Sequence, residues 1–270
     1  DGRGRARGGA MRQEQSLEGY RASVLPLIEA TLRRAVEGGD LRDLYRYVVE
    51  GGKRLRPTLT LLVCDALGGD RGMALDLACS AELTHCASLC LDDILDGHGE
   101  RRGKAALHLA GDLRQAVTTG FTLPSIALNL AARHGAMAAQ TLSEAWVSMC
   151  LGVYLEETPE TVSWEAYRRI IELKTGRLFA ASSAFGALAS RRDGESFRRF
   201  GLHLGNAYQM ADDLQDGWGG EWLPRLQGHM TNEVHQAEAE AAAWEGSRPE
   251  LLAILRRAPR ELLGLKGAVP

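Results

Sequence analysis

Two acidic clusters of one design, Asp92-Asp93-Ile94-Leu95-Asp96 and Asp212-Asp213-Leu214-Gln215-Asp216, stand 120 positions apart in the chain. In each, the first and last Asp are four residues apart. On an α-helix they lie one turn apart on the same face, with the middle Asp about 100° round. Apolar or helix-forming sequence leads into each cluster and a glycine follows each, Gly97 and Gly217, so the carboxylates fall near helix C-termini. There the helix dipole disfavours negative charge by a few tenths to about 1 kcal/mol per group, and the aspartates repel one another. Something positive must offset this. Oxygen donors of this kind suit Mg²⁺, which is held by one or two carboxylates together with substrate phosphate oxygens. Two facing clusters can clamp a diphosphate through shared metal ions.

The basic residues fit the same chemistry. Gly51-Gly52-Lys53-Arg54-Leu55-Arg56-Pro57 puts three cations in a turn before a helix, where backbone N–H groups and Arg forks favour phosphate oxygens. Arg101-Arg102-Gly103-Lys104 follows the first acidic cluster at once, and His85 precedes Asp92 by two turns on nearly the same face. Lys174-Thr175-Gly176-Arg177 interrupts an apolar helix; a Lys there needs a partner or an anion, because an unpaired buried ammonium is costly. Gln209, three residues before Asp212, lies on its face and could reach a substrate or a metal-bound water.

Helical periodicity dominates, and no convincing alternating strand stands out. Helices are expected over about 14–38, 40–50, 55–67, 72–96, 113–133, 137–155, 163–190, 194–217 and 231–257. The fold class is all-α, a closed bundle around a central cavity into which facing helices project site residues. With 45% hydrophobic residues in 270, there is material for one substantial core, expected as one domain over 14–270 after a disordered Gly/Arg-rich head, 1–13. A formal net charge of −3 argues against a nucleic-acid partner. No transmembrane segment is expected, since no apolar run reaches the ~18 to 20 residues that span a bilayer, and the expected location is cytoplasmic. Five cysteines lack metal-binding CxxC spacing and read as reduced thiols.

Taken in order, Gly52-Lys53-Arg54-Leu55-Arg56-Pro57, His85 with Ala87-Ser88-Leu89, Asp92-Asp93-Ile94-Leu95-Asp96, Arg101-Arg102-Gly103, Lys174-Thr175-Gly176 and Gln209-Met210-Ala211-Asp212-Asp213 resemble the trans-polyprenyl diphosphate synthases. The resemblance implies an isoprenoid-synthase fold, a homodimer, and Mg²⁺-dependent joining of an allylic diphosphate to isopentenyl diphosphate. By the family's motifs, Asp92, Asp96 and Asp212 would ligate Mg²⁺, with Asp93, Asp213 and Asp216 supporting that site. Arg101 and Lys174, with Thr175 beside it, would hold the allylic diphosphate. Lys53, Arg56, His85 and Arg102 would hold isopentenyl diphosphate, and Gln209 would lie close to the reacting carbons. Ala87 and Ser88, one turn below Asp92, would border the growing tail, with Phe121 as its floor. Neither Ala87 nor Ser88 is the bulky aromatic that stops growth at C15, so the expected product is geranylgeranyl (C20) or longer.

The chain also departs from the family pattern. Leu91 stands where His is common, Gly120-Phe121 replaces a usual Gly-Asp, and Gly152-Val153 replaces Gly-Gln. Residues 217–240 contain no Lys, where relatives carry a Lys-bearing flap. Gly217-Trp218-Gly219-Gly220-Glu221-Trp222 is read as a Trp-capped lid, with Arg225 standing in for the lost Lys. Two other readings use the same residues: an enzyme on this scaffold that ionises a prenyl diphosphate for cyclisation or for another acceptor, and a regulatory subunit of a heteromeric synthase.

Overall fold

The computed structural model describes residues 16–156, 163–217 and 220–265, with Glu221 described by its backbone alone. The expected head, 1–13, lies outside the described residues. Helix α1 spans Leu17–Ala35, α2 Arg42–Val49, α3 Leu55–Leu67 and α4 Arg71–Leu95. A two-residue hairpin follows, β1 Glu100–Arg101 against β2 Lys104–Ala105, antiparallel, with Glu100 opposite Ala105. Then come α5 Leu107–Ala110, α6 Leu113–Ala132, α7 Ala136–Glu156, α8 Trp164–Ile171, a π-helical turn Glu172–Gly176, α9 Arg177–Ala189, α10 Glu195–Gln215, a short 3₁₀ turn Gly220–Trp222, α11 Leu223–Ala242 and α12 Pro249–Leu262.

Side-chain caps start several of these helices. Asp70 accepts from the backbone of Gly72 and Met73 at the start of α4, Asp112 from Gln115 at α6 and Ser163 from Ala166 at α8, each satisfying amides the helix cannot pair itself. Helices α3 and α9 are apolar nearly all round and run through the middle of the bundle. Around them α4 packs most extensively on α6, and α10 on α9 and α11. One continuous cluster of buried apolar side chains, including Leu61, Leu77, Phe185, Phe200 and Leu255, joins these layers.

The expected helices are found from Leu17 to Gln215, but not the single helix over 231–257. There the chain forms α11 and α12, broken where Gly246 lies against the Ala66 carbonyl and Pro249 opens the second helix without an N–H to pair. Helix α11 also starts earlier than expected, with Pro224 in its first turn. Both acidic clusters end their helices: Asp96 caps α4, its N–H bonded to the Asp92 carbonyl at 2.8 Å, and Asp216 caps α10 on the Asp212 carbonyl at 3.0 Å.

Candidate active site

The C-terminal ends of α4 and α10, the turn before α3 and the π-helical turn surround one cavity of about 610 Å³. Lys53, Arg56, His85, Ser88, Asp92, Arg101, Arg102, Lys174, Thr175, Gln209, Asp212 and Asp213 all line it. The others singled out in the sequence lie elsewhere. Asp93 is buried behind the wall, Asp96 and Asp216 are exposed caps, and Ala87 is in the core. Phe121, expected as a floor for the tail, is 68% exposed on the outer face of α6 and does not reach the cavity, because the groove in α6 at Gly120 is filled by Leu91: a Cβ there would sit 2.7 Å from Leu91 Cδ2.

The two clusters use their middle aspartates differently. Asp93 Oδ1 accepts from Arg101 Nε at 2.8 Å and Nη2 at 2.5 Å, which fixes the guanidinium at the cavity rim. Asp213 takes neutral donors instead: Gln209 Nε2 on Oδ1 at 2.8 Å and Tyr167 Oη on Oδ2 at 2.6 Å. Burial raises the Asp213 carboxyl against those two hydrogen bonds, with Asp212 and Asp216 adding to the rise. Burial pushes Asp92 up to about 6; Lys174 opposes the rise, while Asp96 and Glu156 add to it. Among the described residues no three His, Cys, Asp or Glu side chains converge on one point as a ready-made metal site. The donor set that lines the cavity, Asp92, Asp212 and Asp213, is one of hard carboxylate oxygens facing cations that can hold phosphate, which fits a Mg²⁺ ion that takes few protein ligands and shares the rest with a diphosphate.

The basic turn is built on a buried ion-pair network. Arg54 enters α3 in the left-handed region (φ 54°), and its side chain is fully buried. Its Nη1 donates to Glu82 Oε1 at 2.7 Å, its Nε to Glu29 Oε1 at 2.7 Å, and its Nη2 to the Val49 carbonyl. Arg102 Nη2 stands 3.7 Å from the same Glu82 oxygen. Gly52 (φ 95°) makes room for Arg102, whose Cζ would lie 2.8 Å from any Cβ there. Lys53 and Arg56 are thereby directed into the cavity. Burial lowers the Arg56 guanidinium from its usual range, with Glu82 opposing the effect. Burial, reinforced by Arg56, Arg102, Arg54 and Arg101, drives His85 well below the ordinary imidazole range and keeps the ring neutral.

Across the cavity, the polar tetrad that interrupts an apolar helix in the sequence is a π-helical turn, a form that recurs at functional sites. Lys174 bonds Glu156; burial lowers its pKa, but that bond and the charges of Asp92, Glu156 and Asp96 reverse the effect. Gly152 lets α7 approach this turn: a Cβ would fall 2.7 Å from Lys174 Cγ and 2.9 Å from its backbone N. Thr175 Oγ1 donates to Gln209 Oε1 at 2.8 Å, so Tyr167, Asp213, Gln209 and Thr175 form one hydrogen-bonded chain from α8 through the second acidic cluster to the π turn.

Sequence reasoning counted Arg54 among the phosphate-facing cations, whereas its buried guanidinium is taken up by Glu82 and Glu29, and it passed over Glu82, Glu156, Tyr167 and Tyr208, all in the cavity wall. Signals existed for two of them: Tyr208 adjoins Gln209, and Tyr167 precedes Lys174 by seven residues on the same side. The lid expectation fares differently. Trp218 lies outside the described residues, Trp222 packs edge-on against Trp164 at 6.0 Å, and Arg225 lies over Trp164 and pairs with Glu165 at 3.4 Å. Arg225 is absent from the cavity wall.

Comparison with known proteins agrees with this geometry. Residues 39–221 match the polyprenyl synthetase family model. The chain is 34% identical over 198 residues to a hexaprenyl pyrophosphate synthase of Saccharolobus solfataricus, covering 70% of this chain and 69% of that one. It is 37% identical over 181 residues to a geranylgeranyl diphosphate synthase of Cereibacter sphaeroides, covering 63% and 62%. Thus the matched span is about two thirds of these relatives' length. Among solved structures, a geranylgeranyl pyrophosphate synthase superposes with a TM-score of 0.82 at 21% identity, over 93% of this chain and 99% of that one. An isoprenoid synthase family member from Thermotoga neapolitana gives 0.77 at 26%, over 87% and 96%. With both acidic clusters and the cations between them inside the matched span, this chain belongs to the polyprenyl synthetase family.

Proposed function

We propose that the protein is a Mg²⁺-dependent prenyltransferase that joins an allylic diphosphate to isopentenyl diphosphate, giving a trans-polyprenyl diphosphate of C20 or longer. The observation that carries this reading is the single cavity in which Asp92, Asp212 and Asp213 face Lys53, Arg56, Arg101, Arg102 and Lys174, with Gln209 between them. Asp92 and Asp212 would hold Mg²⁺ there, with Asp213 in support and Asp96 and Asp216 at the exposed ends of the same helices. The bound ion would supply electrostatic stabilisation of the charge that develops on the leaving diphosphate.

The chain's own groups then do the following. Lys174 exchanges Glu156 for an oxygen of the allylic diphosphate, and Arg101, fixed by Asp93, takes another. As the allylic C–O bond breaks, its electron pair goes to that oxygen, and these preorganised cations stabilise it without moving. Lys53, Arg56 and Arg102 hold the second diphosphate; neutral His85 adds a hydrogen bond rather than a charge. The double bond of isopentenyl diphosphate attacks the allylic carbon, forming the new C–C bond, and the released diphosphate takes the proton lost from the adjoining carbon. Ile170, Ile171 and Leu89 in the wall keep water from the cation.

A tail of C20 or longer is supported by the small Ser88 in the wall, and by relatives named as geranylgeranyl, geranylfarnesyl and hexaprenyl synthases. A homodimer in the cytoplasm completes the proposal. Leu113, Phe121 and Leu128 share one face of α6, and with Met137, Val147, Leu151 and Tyr154 of α7 they leave apolar side chains exposed that a second copy would cover. No helix among the described residues is long and apolar enough to cross a membrane. The test is incubation with Mg²⁺ and C10, C15 or C20 allylic diphosphates, with and without isopentenyl diphosphate, followed by mass spectrometry of the extracts. Chain-lengthened diphosphates only when both substrates are present are expected. A cyclised product from the allylic diphosphate alone would replace this reading with the cyclising one, and no product in any mixture would leave the regulatory reading.

A further inference from the structure

Tyr208 connects the two cations at the start of α3 to an aromatic platform on α9 and α10. Its ring packs on Phe179, with centroids 5.7 Å apart, and the Arg56 guanidinium lies 4.7 Å above the other end of that platform, the Phe179 ring. Lys53 Nζ donates to the Tyr208 hydroxyl oxygen at 3.1 Å. Because the lysine occupies an acceptor position of that hydroxyl, the phenolic proton points elsewhere, and among the described residues it meets no acceptor. Nearby, Arg56 Nε is buried with no hydrogen-bond partner, although the side chain lines the cavity. The phenolic donor therefore faces the cavity beside the Lys53 ammonium, with the Arg56 side chain lining the same space. A hydroxyl hydrogen that meets no protein acceptor and stands beside two cations is an arrangement that an oxyanion completes.

We propose that Tyr208 is a binding and positioning residue for the isopentenyl diphosphate, accepting from Lys53 and donating its own proton to a diphosphate oxygen shared with Arg56. This rests on the reading of Lys53 and Arg56 as the isopentenyl diphosphate cations. A hydroxyl in this place does two things a phenyl ring cannot. It holds the flexible Lys53 side chain against the ring face, which lowers the entropy lost when the ligand arrives. It also adds a donor that is neutral and so strengthens binding without adding charge beside Asp212, four residues on.

Isopentenyl diphosphate alone, with no allylic substrate and with EDTA to remove metal-held binding, is titrated into wild type, Tyr208→Phe, Lys53→Ala and the double variant by calorimetry. The Phe ring keeps the packing on Phe179, and equal melting temperatures check that. Tyr208→Phe is expected to weaken binding about tenfold, the loss typical of a hydrogen bond to a charged group. Because the positioning of Lys53 is shared while the phenolic donor meets the ligand itself, the double variant should bind worse than Lys53→Ala, but by clearly less than the roughly tenfold expected in the wild-type background. In turnover, KM for isopentenyl diphosphate should rise by the same tenfold while KM for the allylic diphosphate and kcat shift less than about twofold. Unchanged binding in Tyr208→Phe, or strictly additive losses, overturns the inference even if the enzyme condenses its substrates normally. Tenfold weaker binding in a protein that forms no condensed product would instead remove the proposed reaction and leave the diphosphate contact standing.

Discussion

Glu82 is the residue whose removal should disturb the site most without touching a substrate. Its side chain is 2% exposed and its Oε1 is shared by Arg54 at 2.7 Å and Arg102 at 3.7 Å, and it also offsets the burial of Arg56. One carboxylate thus neutralises part of a field made by three arginines around a neutral His85. Breaking a buried pair by deleting one partner costs about 3 to 5 kcal/mol, because the other charge is left uncompensated. Here Glu29 keeps its 2.7 Å bond to Arg54 Nε, so the lower half of that range applies: Glu82→Leu should lose about 3 to 4 kcal/mol. Glu82→Gln keeps an oxygen for Arg54 but drops the charge, and about half that loss is expected.

Urea denaturation of the metal-free protein measures both values, and an unchanged m-value shows that they refer to the same transition. Glu82→Gln offers a second readout. Stripped of their shared anion, the arginines should bind inorganic diphosphate more tightly than in wild type. At one fixed diphosphate concentration the variant should then gain more stability, since the gain grows as RT ln(1 + [L]/Kd). A Glu82→Leu loss below about 1 kcal/mol would refute the view that this network carries the turn. Equal diphosphate stabilisation of wild type and Glu82→Gln would refute the view that the arginines compete for Glu82 and for the ligand.

Four further expectations follow from the same geometry. Asp92→Asn and Asp212→Asn should each lower kcat at least about a hundredfold in steady-state assays, the scale of losing a main electrostatic stabiliser. Gly152→Ala should destabilise by about 1 to 3 kcal/mol in the same urea assay, as its Cβ would press on the Lys174 backbone, which cannot yield as a side-chain end could. Because burial holds His85 below the pKa of ~6.5 it has when unfolded, the unfolded chain binds the extra proton as pH falls. Stability of the ligand-free protein should therefore drop below that pH at up to about 1.4 kcal/mol per unit for this one proton, and His85→Gln should remove that share of the slope. Ser88→Phe should shorten the products seen by mass spectrometry, since Ser88 and not Ala87 borders the cavity; an unchanged product distribution would place the tail elsewhere.

What could be read from the sequence was whatever local spacing dictates. Asp92 and Asp96, four apart on a helix that ends in Gly97, had to share a face near a C-terminus, and α4 ends there. The Lys53–Arg56 turn was visible as charge between glycine and proline. Glu82 was not, because its value comes from Arg54 reaching it across 28 positions of sequence, and a Glu in an amphipathic helix carries no mark of its partner. The π turn at Glu172–Gly176 left only a polar tetrad as its trace; the extra residue per turn is set by α7 and α10 pressing on either side, which no local pattern encodes. Phe121 was misplaced for a related reason. Sequence puts it on a helix that flanks the first acidic cluster, but which face of α6 meets α4 is decided by Leu91 filling the space above Gly120.

The echo between the acidic clusters conceals a chemical difference that only the fold resolves. Each middle aspartate points about 100° away from its neighbours and so meets a different element. Asp93 meets the hairpin and recruits the cation Arg101, so the first cluster carries its own counter-charge to the rim. Asp213 meets α8 and recruits the neutral hydroxyl of Tyr167 and amide of Gln209, so this middle carboxylate brings no counter-charge to the second cluster and, through Gln209 and Thr175, is tied to the turn that carries Lys174. If Lys174 takes the allylic diphosphate as proposed, the cation that holds the ligand stands on a turn hydrogen-bonded through Thr175 and Gln209 to the second acidic cluster, and Tyr167 ties the Asp213 end of that chain to α8.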